Sequence, residues 1–189
     1  MSPRGRGLAW AVVLALLLVP LAFPSPPGAE PAALRLMGPF AELAAQVQWL
    51  RFHGATRRGE EARAFELAES ALTLDPLAPE GWKALAAHLL FDLASREREP
   101  DPARRRAAFE AGCQVARRGA DRARRPEELE LFLGLVLADK AARDPELDPG
   151  GATALLAAAA RAFEDAARHG DAQATALAAQ VRAESERDE

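Results

Sequence analysis

The chain has no tyrosine, two methionines and a single cysteine, Cys113. One cysteine forms no internal disulfide and builds no thiolate metal cluster, so neither a disulfide scaffold nor a cysteine-held metal site is on offer. Lysine is almost missing too: apart from Lys83 and Lys140, the Lys/Arg cations are all arginine, a bias typical of GC-rich bacterial genomes. β-Branched residues are few and alanine abounds, which favours helix over strand. The common catalytic signatures are absent as well. There is no serine elbow, no His-Glu-x-x-His and no phosphate-binding glycine loop, and Gly5-x-Gly7 and Gly150-Gly151 lack the strand-to-helix context such a loop requires. No enzyme and no cofactor are expected.

What is present is charge in blocks. The 189 residues carry a formal charge of −4, made of +2 over residues 1–29, −3 over 30–95, +5 over 96–125 and −8 over 126–189. The basic middle reads as a solvated helix with its loops. Nucleic-acid binding is not expected, because Arg104-Arg105-Arg106 and the arginines of 122–125 have no interleaved aromatics and the overall balance is acidic.

The N-terminus reads as an address. Arg4 and Arg6 precede an apolar run over residues 8–23, some 16 residues, short of the roughly 20 that span a bilayer comfortably. Residues 1–23 are therefore a signal peptide or an uncleaved signal anchor; prolines at 24, 26 and 27 crowd the cleavage region, and both versions stay open. Either way the positive end stays cytoplasmic and the rest crosses, so an exported, periplasmic or membrane-tethered protein is expected, touching membrane only through residues 8–23. Residues 24–37 form a proline-rich linker.

From residue 38 the pattern turns helical. Pro39 suits a first turn, and Phe40, Leu43, Ala44, Val47 and Leu50 make an apolar face running to about Thr56, with Gly59 as its C-cap. Further helices are expected over 60–74, 79–95, 102–118, 127–142 and 152–168, with Asp101 as a cap and Gly119 and Gly170 as stops. Residues 144–151 read as a loop, 171–182 as a short seventh helix, and 183–189 as a disordered acidic tail. The helical domain thus covers 38–182.

One run carries more information than the rest: Ala64-x3-Ala68-x2-Ala71-x4-Pro76-x5-Trp82-x2-Leu85-Ala86. Small residues three or four apart share a helix face and admit a close neighbour, the proline ends that helix, and Trp82, Leu85 and Leu89 restart an apolar stripe. This arrangement resembles the tetratricopeptide repeat, whose period is 34 residues. The resemblance covers about residues 38–170: Leu133-Gly134, Leu137, Ala159, Phe163 and Ala166 match a third hairpin, while Gln48 departs from the pattern and two turns are long. The stretch Gly81-Trp82-x2-Leu85-Ala86-x-His88 is similar to divergent tetratricopeptide-like proteins of GC-rich bacteria. The resemblance implies an all-α stack of antiparallel helical hairpins, an α-solenoid of about three hairpins with a capping helix.

Chemistry has few candidates. His88 and Asp92 lie four apart on one helix, so an ion pair or oriented imidazole fits, and an interhelical hydrogen-bonded histidine fits better than a ligand. A metal would need more, and His53 and His169 belong to other hairpins without ligand spacing. Cys113 sits in Ala111-Gly112-Cys113 as a buried, inert thiol. Glu60-Glu61 and Glu127-Glu128 suit the positive ends of helix dipoles.

The resemblance also implies a concave groove lined by the first helix of each pair: Trp49 and His53, then Lys83, Ala87 and Phe91, then Leu131 and Leu135. Such a groove takes an extended peptide or a helix. Two other readings stand beside it. These side chains are core, covered by the seventh helix, or the chain is a self-associating structural subunit. Within the groove reading, Lys83→Glu is expected to leave the fold intact and weaken a partner.

Overall fold

A computed structural model describes residues 39–185. The expected signal, the linker and residues 186–189 lie outside the described residues. Among the described residues there are seven α-helices and no strand: α1 Pro39–Arg58, α2 Glu61–Leu74, α3 Pro79–Ala87, α4 Pro102–Ala120, α5 Pro126–Arg143, α6 Gly151–Arg168 and α7 Ala174–Ser185. None is long and apolar enough to cross a membrane. Helices α1 with α2, α3 with α4, and α5 with α6 pack as sequence neighbours, and α7 packs on α6. Short connections force each such pair to run antiparallel.

Local chemistry accounts for most of the boundaries. Prolines open α1, α3, α4 and α5, where a missing N–H costs nothing. Asp101 Oδ1 accepts from the Ala103 amide at 2.9 Å, the expected cap. Gly59 (φ +72°) and Gly170 (φ +108°) end α1 and α6 in the left-handed region. The amides of Gly59 and Glu60 reach back to Thr56 and Ala55, and those of Gly170 and Asp171 to Ala167 and Ala166, which is the Schellman closure.

Three expectations need correction. Gly119 does not stop α4, which continues to Ala120. It is a contact residue instead, where an added Cβ would lie 2.6 Å from Trp82. Helix 79–95 is not α-helical throughout: His88–Leu93 is a π-turn, closed by the Ala94 amide on Leu89 O at 3.0 Å. Segment 144–151 is the expected loop up to Gly150, and it holds a 3₁₀ turn with Leu147 fully buried and Asp144 buried. The last helix runs from Ala174 to Ser185, so 183–185 are helical and not part of a tail.

The core has two parts that α3 bridges. Phe52 and Ala55 of α1, Ala64, Leu67 and Ala68 of α2, and Trp82, Leu85 and Leu89 form one part, with Leu129 of α5 reaching into it. Ala86 and Leu90, on the other side of the same helix, belong to the second, with α4 to α7. Three successive residues, His88, Leu89 and Leu90, are buried because α3 is enclosed on both flanks. Close approach is set by missing side chains: a Cβ at Gly112 would lie 2.5 Å from Leu90, and one at Gly134 2.6 Å from Phe163. The second contact is where the expected third hairpin crosses itself.

Helix α1 is apolar on two opposite faces. Ala41, Ala45, Phe52 and Ala55 are its buried side. The face expected from the sequence, with Phe40, Leu43, Val47 and Leu50, is the other one and stays 47–71% exposed. Alanines win the core position because α2 presents Ala64, Ala68 and Ala71, and two small-residue faces let the backbones approach closely.

Candidate functional site

Helices α3 and α5 lie side by side and are tied by two contacts at opposite ends. Lys83 Nζ donates to Glu128 Oε2 at 2.6 Å, and the Lys140 ammonium sits 5.3 Å from the centre of the Phe91 ring. Lys83, Ala87 and Phe91 are four apart along α3 and its π-turn, and Glu128, Leu131 and Leu135 follow at spacings of three and four along α5. Lys83, Ala87 and Phe91 thus share one side of α3 and its π-turn, and Leu131 and Leu135 share one side of α5. Phe91 is 43% and Leu135 50% exposed, Ala87 and Leu131 are half-buried, and Leu131 packs against the larger core. Helix α7 lies on α6 and leaves Phe91 and Leu135 in contact with solvent.

The two α1 residues are placed differently. Trp49 is half-buried at the joint between α1 and α3: a Cβ on Gly81 would come within 2.8 Å of its indole, and its ring meets Phe52 edge-on at 5.3 Å. His53 is exposed, with its ring 5.2 Å from Phe52. Trp49 thus packs a helix joint, and the face available for a ligand is narrower than the sequence pattern implies. Lys83 is not a free cation either. Its partner Glu128 is also held by Arg125, so Lys83→Glu would place two carboxylates together and cost stability as well as any binding. The fold therefore does not stay intact at no cost in Lys83→Glu, contrary to what the sequence pattern implied.

Two polar clusters centre on buried side chains, His88 and Arg105. His88 is buried, with Nδ1 2.8 Å from Asp92 Oδ2 and Nε2 2.9 Å from Glu61 Oε2, and the rings of Phe52 and Phe65 beside it. Both ring nitrogens thus have a carboxylate oxygen within hydrogen-bond distance. Glu61 also pairs with Arg98, which leaves a histidine held between two helices and compensated on each side. The Asp92 contact follows from the i, i+4 spacing. Glu61 lies 27 residues away and carried no signal beyond its place in a first turn. Replacing His88 with alanine is expected to cost about 2–3 kcal/mol, from a lost buried ring and an unpaired carboxylate contact. Thermal or denaturant unfolding of the variant checks this, and an unchanged midpoint would reject the structural role.

The second cluster was not legible in the sequence. Arg105, inside the triplet read as solvated, is buried and bonds to Asp144 Oδ1 at 3.2 Å and to Glu146. Arg96 reaches the same Asp144 oxygen at 2.8 Å, and Arg105 Nε has no partner. Cys113 is free and buried, and burial pushes its thiol up to about 11, which keeps it protonated and unreactive at neutral pH. The hydrogen bond from His169 to Glu130 at 2.7 Å raises that imidazole above its ordinary range and ties the end of α6 to α5. Among the described residues, no group of three or more His, Cys, Asp or Glu side chains is arranged to hold a metal ion. No protein-family model, characterised protein or solved structure matches the chain.

Proposed function

We propose that the chain is a non-catalytic protein-interaction module, a scaffold of tetratricopeptide-like helical hairpins carried on the outer side of a bacterial cytoplasmic membrane. One observation carries the reading: two large apolar side chains, Phe91 and Leu135, stand exposed on the neighbouring helices α3 and α5, with the Lys140 ammonium over the Phe91 ring. An exposed aromatic and leucine pair on a rigid surface is the kind of feature a partner covers. A partner helix or extended peptide with apolar anchors and an acidic group near Lys140 fits that chemistry. The address rests on Arg4, Arg6 and the apolar run of residues 8–23.

The test is a crosslinked pull-down of the full chain from its native membranes, wild type against Phe91→Glu/Leu135→Glu. The double variant is expected to keep its helicity with only a small fall in melting temperature, because both side chains are about half exposed, and to lose one specific partner. Equal capture by both versions would remove this face from function. The alternative of a self-associating subunit is favoured by a different surface, the outer side of α1.

A further inference from the structure

Helices α4 and α6 both pack on α5, and two cavities between the three helices mark matching levels along them. One cavity is lined by Cys113 of α4, Leu137 of α5 and Leu155 of α6. The other, of about 370 Å³, is lined by Ala120, Leu129 and Ala162. Residue numbers rise from the first to the second along α4 and α6 and fall along α5, so α4 and α6 run parallel. Arg117 and Asp121 are four apart on α4, Arg161 and Asp165 are four apart on α6, and all four line the 370 Å³ cleft. Parallel helices with equal spacing set the two arginines at one level of the cleft and the two aspartates one turn further on.

We propose that this cleft binds an apolar α-amino acid, its carboxylate between Arg117 and Arg161, its ammonium on Asp121 and its side chain against Leu133. Charge selects the class of ligand. Either arginine could pair with the aspartate one turn along its own helix, yet neither does. Asp165 is held by Arg168, and Glu130, which lines the same cleft, by His169. Arg117, Arg161 and Asp121 have no ion-pair partner among the described residues. Two open cations and one open carboxylate over an apolar floor complement a small molecule that is anionic at one end and cationic at the other. A simple anion would leave Asp121 unanswered, and an amine would leave both arginines so. Guanidinium forks suit a carboxylate in particular, because their donors match its two oxygens. The volume sits at the small end of ligand pockets, which run from roughly 300 to 1,000 Å³ and set a few polar groups in an apolar lining. The cleft shares no residue with the α3/α5 face and does not depend on it.

Saturation-transfer NMR on the purified full chain tests this with L-leucine and L-valine as probes. Two fragments of leucine accompany them: 4-methylpentanoate, which lacks the ammonium, and isoamylamine, which lacks the carboxylate. The amino acids are expected to bind best, 4-methylpentanoate more weakly and isoamylamine not at all. Arg161→Gln is expected to weaken leucine about tenfold, as the loss of a charged hydrogen bond does. Asp121→Asn is expected to bring leucine down to the level of 4-methylpentanoate. Both positions are exposed, so circular dichroism of the two variants is expected to match the wild type. No transfer to leucine or valine would overturn the proposal. Leucine binding that survives Arg161→Gln or Asp121→Asn unchanged would overturn it too, by placing the ligand elsewhere. So would isoamylamine binding as tightly as leucine, since the arginines would then contribute nothing.

Discussion

Truncating Trp82 to alanine is expected to lower stability by about 3–5 kcal/mol, the range for large aromatic side chains in a packed core. For a domain of this size that is a fall in melting temperature on the order of 10 °C. Three separate contacts are lost at once. The indole fills the first core between α2 and α4, and its Nε1 donates to Pro76 O at 2.9 Å, closing the turn that joins α2 to α3. Its ring edge at Cγ occupies the space left by the missing side chain of Gly119. The Arg124 amide bonds to Leu77 O at 3.0 Å, so the turn after α4 is fastened to the same corner and loosens with it. Unfolding monitored by circular dichroism checks the value; a wild-type midpoint would refute the central place of Trp82. A milder companion, Trp82→Phe, keeps much of the volume and isolates the cost of the Pro76 bond.

Asp144→Ala is the second large effect, at about 3 kcal/mol. Removing one member of a buried ion pair leaves the other charge in a poorly solvating site, and that penalty is what the experiment reads. Arg105 is the charge left behind, only 3% exposed, with Glu146 at the surface as its remaining partner. The partner substitution fixes the interpretation. Arg105→Met in the Asp144→Ala background removes the stranded charge and keeps an apolar stem of similar length, so most of the lost stability should return. If the double variant is no more stable than Asp144→Ala, the loss came from the backbone around 144–147 and not from the buried cation.

The legibility of this chain divides along a physical line. Helix content, the places where helices start and stop, and the pairing of neighbours follow from short-range chemistry, so Pro79, Pro102, Asp101, Gly59 and Gly170 could be read in place. Small residues at helical spacing marked a close contact on α2, and Ala64, Ala68 and Ala71 are indeed fully buried. The face of α1 was misread because amphipathicity ranks leucine and valine above alanine. Which stripe goes inward depends on what the facing helix presents, and α2 presents alanines.

The candidate face was half legible. Lys83, Ala87 and Phe91 lie along one side of α3, Leu131 and Leu135 along one side of α5, and the two helices are neighbours. Trp49 was assigned to the same surface, but the bare backbone at Gly81 gives its indole a place to pack. Glu61, Asp144 and Glu128 looked like ordinary surface carboxylates, and each turned out to answer a cation or a histidine 27 to 45 residues away.

By itself the sequence determined an all-helical chain, its punctuation and its tryptophan-centred first core, because propensity, capping and 3.6-residue spacing act within one or two turns. Only the tertiary structure decided which face of α1 is buried, which arginine of a triplet lies inside, and where the helix 79–95 widens into a π-turn. Those outcomes depend on the shape and charge of elements distant in sequence, and a side chain's own neighbours in the chain carry no record of them.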